Sequence, residues 1–528
     1  MVDDLNCIHN KREGELYWQY LLLPFVQLFV ERVVDRFHSI NVNGTRRKLT
    51  QKQYVKLKSN CISDPLSFFR VEEYVEDLIV FDIERFFGIH TSHNAANESG
   101  YNFHIALNKV VLAIKTWLRH VKKTFKFLMN IRRLEIQRDD VVSRYSYEHN
   151  ILIINDFIPE MYINKLLDDY NGIRLKELSE CLGYRYFGTN KAISHDGKFS
   201  LLRKSEVKVQ ILDNEPEYMI FIKNHLFSYM PIDYLENYKN IRANFISLKV
   251  KFLIGNSLVF WDSLERHAIA DQVAKGAQIL IFQHGGGYGF SDLSTFELME
   301  REFADRFVGW TDTVEHKGLV LRKAYFEINA DYLSAYKRDK PIDVLIIGPW
   351  FKKFQIYNEG LHPLDNLSVT NKIKLLISFL VKSNLNVVYR AYQNFNDDIS
   401  LSYPALSTAK NPNIYEQINT ASIVVCCKPT TAVNDCLVAG NYPILFWGDE
   451  YCMKPNVWSE IRQLGSLGYY YDQADDCAAE IVRKISKLNY DVDLKVVELF
   501  GKLFGDNIAT YSEVNDIICR FMVGNSCE

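Results

Sequence analysis

Apolar residues recur along this chain in two different rhythms. Up to about residue 140 the spacing is helical. Residues 17–36 carry an apolar stripe that ends in charged residues, residues 68–87 mix apolar and acidic positions at helical spacing, and residues 105–134 are apolar on one side and basic on the other. From residue 150 short apolar runs alternate with helical segments. Strands are expected at 151–154, 257–261, 277–282 and 306–310, with helices at 159–170, 262–275 and 294–303 and a less regular stretch over 171–250. A second alternating set predicts strands at 343–348, 386–392, 423–427, 442–447 and 468–471. Its helices are expected at 371–383, 431–439, 473–487, 492–504 and 512–523. Such alternation implies parallel sheets with crossover helices. The fold class expected is therefore α/β, with two Rossmann-like domains facing a cleft. Their bounds are 141–335 and 336–528, preceded by a helical region over 1–140 and closed by C-terminal helices.

Composition narrows the class. The chain has 528 residues, 48% hydrophobic and 24% charged, as in an ordinary globular protein of two or three domains. A net charge of −3 gives no reason to expect a nucleic-acid partner. The ten cysteines show no repeated C-x-x-C spacing and read as buried thiols of a reducing, cytoplasmic compartment. Residues 1–15 are polar and charged, unlike a secretory signal, and the apolar stretch 17–30 is broken by Gln19, Pro24 and Gln27, too short to span a bilayer. No acidic residue occurs over 99–134. A basic amphipathic helix there suits peripheral contact with an anionic membrane, a solvated face, or a hold on an anionic acceptor.

The densest chemistry is Gln283-His284-Gly285-Gly286-Gly287-Tyr288-Gly289, directly after the apolar run 279–282. Glycines permit a sharp turn and close approach of backbone to a ligand, and ligands of parallel α/β sheets sit beyond the strands' carboxyl ends. The spacing fits neither the dinucleotide fingerprint nor the phosphate-binding P-loop, since Phe290 and Asp292 stand where the fingerprint needs its last glycine and no Lys follows the loop. The second set has its own candidate, Lys428-Pro429-Thr430-Thr431-Ala432 with Asn434 behind it, where a helix N-terminus and two hydroxyls could hold an anion or merely cap the helix. Arg390 ends a strand and is placed for forked recognition of phosphate or carboxylate, or for a salt bridge to Asp397 or Asp398. A transferase needs a base or nucleophile. Asp262, Glu297, Glu300, Glu302 and Asp305 are the acidic candidates, and His284 is the group that could act near neutrality.

The glycine string, followed by Glu300 and Ala304-Asp305-Arg306-Phe307, resembles transferases encoded in bacterial O-antigen and surface-polysaccharide clusters. Tyr17-Trp18 and Asp35-Arg36-Phe37-His38-Ser39-Ile40 resemble the helical N-terminal part of that family. These proteins are similar to GT-B glycosyltransferases and, more remotely, to the capsule and O-antigen Kdo transferases, whose His-Pro donor motif is replaced here by Arg390-Ala391-Tyr392. The resemblance implies a nucleotide-sugar donor, CMP-linked Kdo or a nonulosonate, with no metal and no further cofactor. It implies a glycan or lipid-linked glycan acceptor and a cytoplasmic enzyme, peripheral at the inner membrane. His284, Asp262 and Glu300 would be catalytic. Gln283, Gly285, Gly286, Gly287, Tyr288, Arg390, Lys428, Thr430, Thr431 and Asn434 would hold the donor. The alternatives are a GT-B transferase or epimerase acting on a UDP- or GDP-sugar, and a non-catalytic glycan-binding scaffold.

Overall fold

A computed structural model describes residues 14–43, 79–80, 82–83, 149–155, 160–177, 216–235, 238, 241, 248–257, 263–291, 294–311, 318–320, 340–349, 363–391, 398–406, 413–451, 453–487, 492–505 and 509–523. The basic segment 105–134 and the candidate Asp262 lie outside these residues.

Strands β1 (His149–Ile153), β2 (Gly172–Arg174), β3 (Val250–Asn256), β4 (Gln278–Phe282), β5 (Arg306–Gly309) and β6 (Gly318–Val320) form one sheet. Every pairing is parallel, in the order β2-β1-β3-β4-β5-β6. β4 reads as an unbroken apolar run because both of its faces are covered, as in parallel sheets generally. Helices α1 (Glu15–Asn43), α2 (Glu160–Tyr170), α3 (Glu217–Tyr229), α4 (Ile232–Leu235), α5 (Ser263–Ala274) and α6 (Thr295–Phe303) belong to this half. The expected helix over 17–36 runs on through Pro24, and its Tyr17, Trp18, Leu21, Phe25 and Phe29 are buried. Trp18 stacks on Tyr238 at 5.3 Å, and the Tyr17 hydroxyl lies 3.2 Å from His267 Nδ1 on α5. That covers α5 from the outside and gives the aromatic-rich N-terminal segment its role.

A strand lies at 250–256, just before the one expected at 257–261, and Ser257 follows it with φ 54°; residues 258–261 lie outside the described residues. The Gln272 side chain of α5 accepts from Val250 N at 3.0 Å and donates to Leu248 O at 3.0 Å, tying the start of the strand into the fold. The stretch expected to be irregular contains β2, α3 and α4.

The second sheet holds β7 (Ile342–Ile347), β8 (Val387–Arg390), β9 (Ala421–Cys426), β10 (Ile444–Phe446) and β11 (Tyr470–Tyr471), again all parallel, ordered β11-β10-β9-β7-β8. Around it lie α7 (Pro363–Lys382), α8 (Asp398–Ser402), α9 (Ile414–Thr420), α10 (Thr431–Val438), α11 (Pro455–Ser466), α12 (Ala474–Ser486) and α13 (Leu494–Phe504). Both sheets start in the middle, step to one side, and then wind the other way, the doubly wound pattern whose order reverses between the first and third strands. The architecture is α/β as expected, with two parallel-sheet, doubly wound domains in one chain.

The final helix, α14 (Tyr511–Val523), departs from the expected grouping with the second domain. Its Val514, Ile517, Ile518 and Phe521 pack with Ile151, Ile153, Ile254 and Leu280 of the first sheet, and Phe521 meets Phe252 at 5.3 Å. An amphipathic stripe shows that a helix must dock, not on which sheet. Among the described residues no helix is long and apolar enough to cross a membrane.

Candidate active site at the domain junction

The glycine loop leaves the carboxyl end of β4 and crosses to the second domain. Gln283, buried, shapes its start: the amide oxygen accepts from Trp310 N at 2.9 Å and the amide nitrogen donates to Gly285 O at 2.6 Å. Gly286 N then donates to Thr431 Oγ1 at 3.2 Å. Gly286 has no room for a side chain. A Cβ there would strike Asn434 Oδ1 and come within 2.8 Å of the Thr430 carbonyl. Gly287 is nearly as close, at 3.2 Å from Pro429 O, whereas a Cβ on Gly285 would meet only Thr431 Oγ1 at 3.9 Å. Two of the three adjacent glycines are thus explained by close approach of one domain to the other.

The contact continues beyond the glycines. Phe290 inserts into the core of the second domain, 4.9 Å from the ring of Phe504. Lys454 N donates to Phe290 O at 2.8 Å, and Ser291 bridges to Met453. The receiving turn follows β9, which with β7 flanks the point where the strand order reverses. Thr430 caps α10, its side chain accepting from Ala432 N at 3.4 Å. Asn434 is fully buried, its amide nitrogen bound to the carbonyls of Phe504 and Gly505, and its Oδ1 accepts no hydrogen bond. The two sequence motifs, 145 residues apart at their hydrogen bond, form one place in the fold.

Within the loop lies a polar cluster that sequence spacing did not reveal. Glu300, on α6, is wholly buried, and its Oε1 lies 3.1 Å from His284 Nδ1. Tyr288 OH donates to Glu300 Oε2 at 2.9 Å and lies 2.9 Å from His284 Nδ1. Burial, reinforced by the Glu300 charge, pushes the Tyr288 phenol well above its ordinary pKa, so it stays protonated. Its ring stacks on Phe307 of β5, which fixes its position. His284 is partly exposed, its side chain 20% accessible. Glu297 serves the backbone instead. Its Oε2 accepts from Gly289 N at 2.8 Å, and Gly289 takes φ 82° to make that bond. Burial raises the Glu297 pKa against the opposing pull of Gly289 N–H, Lys454 and Arg301. Asp305 accepts from Ile279 N at 2.7 Å and Glu302 is exposed, so both stand outside the cluster.

Arg390 ends β8 with its NH1 donating to Gln417 Oε1 at 2.6 Å. It faces the buried Asp435, which also accepts from Tyr415 OH at 3.0 Å. Burial lifts Asp435 to about 7, opposed by the Tyr415 bond and the Arg390 charge. Burial also lowers the Arg390 pKa, with Asp435 pulling it back up. Gln417, Tyr415 and Asp435 had no signal in the sequence beyond their polarity. Asn155 and Asn256 were likewise missed. Asn155 follows β1 and Asn256 ends β3, at the reversal point of the first sheet, and they bond to each other through Asn155 Nδ2 to Asn256 O at 2.8 Å and Asn256 N to Asn155 Oδ1 at 2.9 Å. A separate cavity of about 190 Å³, lined by Tyr469, Arg483, Lys484, Lys487 and Asp493, lies beside the amino end of β11, away from this junction.

A family model described as LIC12162 family transferase matches residues 1–488. No curated protein matches the chain. Among solved structures, MurG of Acinetobacter baumannii is similar at 12% identity and TM-score 0.31, over 71% of this chain and 100% of that one. A Listeria monocytogenes protein provisionally described as a UDP-N-acetylglucosamine 2-epimerase aligns at 8% identity and TM-score 0.36, over 72% of this chain and 96% of that one. The spinosyn forosaminyltransferase SpnP aligns at 9% identity and TM-score 0.35, over 71% and 99%. These likenesses assign no substrate.

Proposed function

The chain belongs to the LIC12162 transferase family, and from that premise we propose that it is a glycosyltransferase working at the junction of its two domains. The observation that carries the reading is the seating of the glycine loop, from the carboxyl end of β4, on the turn that follows β9. Ligands of doubly wound sheets bind beyond these carboxyl ends, and here two such ends meet. A donor held by one domain and an acceptor held by the other would come together there, which is how positioning lowers a transfer barrier.

In this reading the second domain takes the nucleotide sugar. Lys428 and the first turn of α10 would lie at its phosphate, since a helix N-terminus favours an anion. Thr430 and Thr431 already have structural partners, so their contribution would be mainly to hold that turn. Arg390, steadied by Gln417, would meet a carboxylate on the sugar. The family resemblance of the glycine string supports a CMP-linked 2-keto sugar acid and a glycan or lipid-linked glycan acceptor, in assembly of a bacterial surface polysaccharide. His284 would meet either the departing phosphate or the acceptor hydroxyl.

Calorimetric titration with CMP, UDP and GDP tests this. Binding of CMP alone is expected. Binding of UDP or GDP alone would keep the transferase and overturn the donor. Binding of none would favour a glycan-binding scaffold.

A further inference from the structure

We propose that Glu300 and Tyr288 fix His284 as a general base acting through Nε2, so that the transfer is a single displacement with inversion at the anomeric carbon. This deepens the glycosyltransferase reading and rests on it for its substrate.

Proton placement dictates the tautomer. Tyr288 has one hydroxyl proton, and that proton is donated to Glu300 Oε2 at 2.9 Å. The Tyr288 oxygen can therefore only accept from His284 Nδ1, 2.9 Å away. The proton of a neutral His284 must then sit on Nδ1, which places the lone pair on Nε2. An imidazole of this tautomer accepts a proton at Nε2 and cannot donate one there, which suits an acceptor hydroxyl and not a phosphate oxygen. Glu300 completes the device. Its Oε1 is buried, accepts no hydrogen bond, and lies 3.1 Å from His284 Nδ1. When the ring gains a second proton, that buried carboxylate faces the new positive charge at 3.1 Å, and its burial strengthens the attraction.

The step balances. The acceptor hydroxyl gives its proton to Nε2 as its oxygen bonds to the anomeric carbon. The bond from that carbon to the nucleotide phosphate breaks, and its electron pair leaves with the phosphate. The imidazolium loses the proton to solvent as products depart. Glu300 does not touch substrate and is a positioning residue.

Two measurements decide it. Nitrogen NMR of the histidine-labelled protein, with His284 assigned by its loss in His284→Gln, should show the Nδ1–H tautomer in the neutral form. Tyr288→Phe, which keeps the ring stacked on Phe307, should give a tautomer mixture. An Nε2–H tautomer in the wild type overturns the proposal and needs no substrate to be seen. With a donor that transfers, Glu300→Gln should lower kcat by roughly 10²–10⁴-fold while the donor KM stays within about threefold, and Glu300→Asp should recover part of the loss. A kcat unchanged in Glu300→Gln, or a product with retained configuration, overturns it. If the wild type transfers from no donor, the glycosyltransferase reading falls, while the tautomer still judges the Glu300–His284 pairing.

Discussion

Neighbouring glycines of the loop have different reasons to be glycine. At Gly286 the obstacle is backbone, the Thr430 carbonyl at 2.8 Å, which cannot swing aside as a long side chain would. Gly286→Ala is expected to loosen the junction and cost about 1–3 kcal/mol. Gly285→Ala should stay within about 1 kcal/mol of wild type, since the space is open and no positive φ is involved. Urea melts of the two variants check this; equal losses would mean the loop is not seated as described. Asp435 makes a prediction of sign. Its folded pKa is raised to about 7 from an ordinary 3.8, so the folded state holds the proton more tightly. Stability is then greatest where Asp435 is protonated in both states and falls as pH rises from about 4 to about 7, by at most about 4 kcal/mol at 1.36 kcal/mol per unit. Asp435→Asn should flatten that part of the curve of melting temperature against pH. An unchanged slope would show that the group does not titrate there.

Elements carry the residues to the junction. α10 is short, and its first turn both receives the glycine loop and is held by the Thr430 cap. Thr430→Ala should cost about 1 kcal/mol, with Thr430→Ser nearly neutral; losses of equal size in both would assign the methyl group, not the hydroxyl, the stabilising part. The segment leading into α6 is equally constrained, because Phe290 leaves its own domain to fill the other's core. Phe290→Ala should destabilise by about 3–5 kcal/mol, and a two-step unfolding curve is expected once the cores are no longer joined. A single, barely shifted transition would contradict the insertion. α14 couples the domains in the reverse sense, starting after the second sheet and packing on the first.

At the scale of the molecule the two domains are tied by two separate crossings. The loop enters the second domain and α14 returns from it, so the junction is a built contact and not a loose cleft. The expected membrane contact rests on residues 105–134. If that segment holds an anionic surface, the protein should bind vesicles containing anionic lipid at low salt and release them as salt rises, because screening shortens the reach of its charges. A sedimentation assay without binding at low salt would remove the idea.

The sequence by itself determined the kinds of elements and most of their places. Apolar runs of strand length between helical stripes admit little but parallel sheets, and the glycine string announced a close approach of backbone. Local pattern cannot state what a group approaches. That Gly286 meets the turn at Thr430, that α14 crosses to the first sheet, and that Gln272 of α5 holds the start of the strand at 250–256 are outcomes of packing between segments far apart in the chain. The same holds for the site. His284 and Glu300 were both legible as chemistry, but only the tertiary structure decided that Glu300, and not Glu297 or Asp305, faces the imidazole. Glu297 and Glu300 lie one turn apart on α6, and it was the path of the loop against that helix that assigned one to a backbone amide and the other to the histidine.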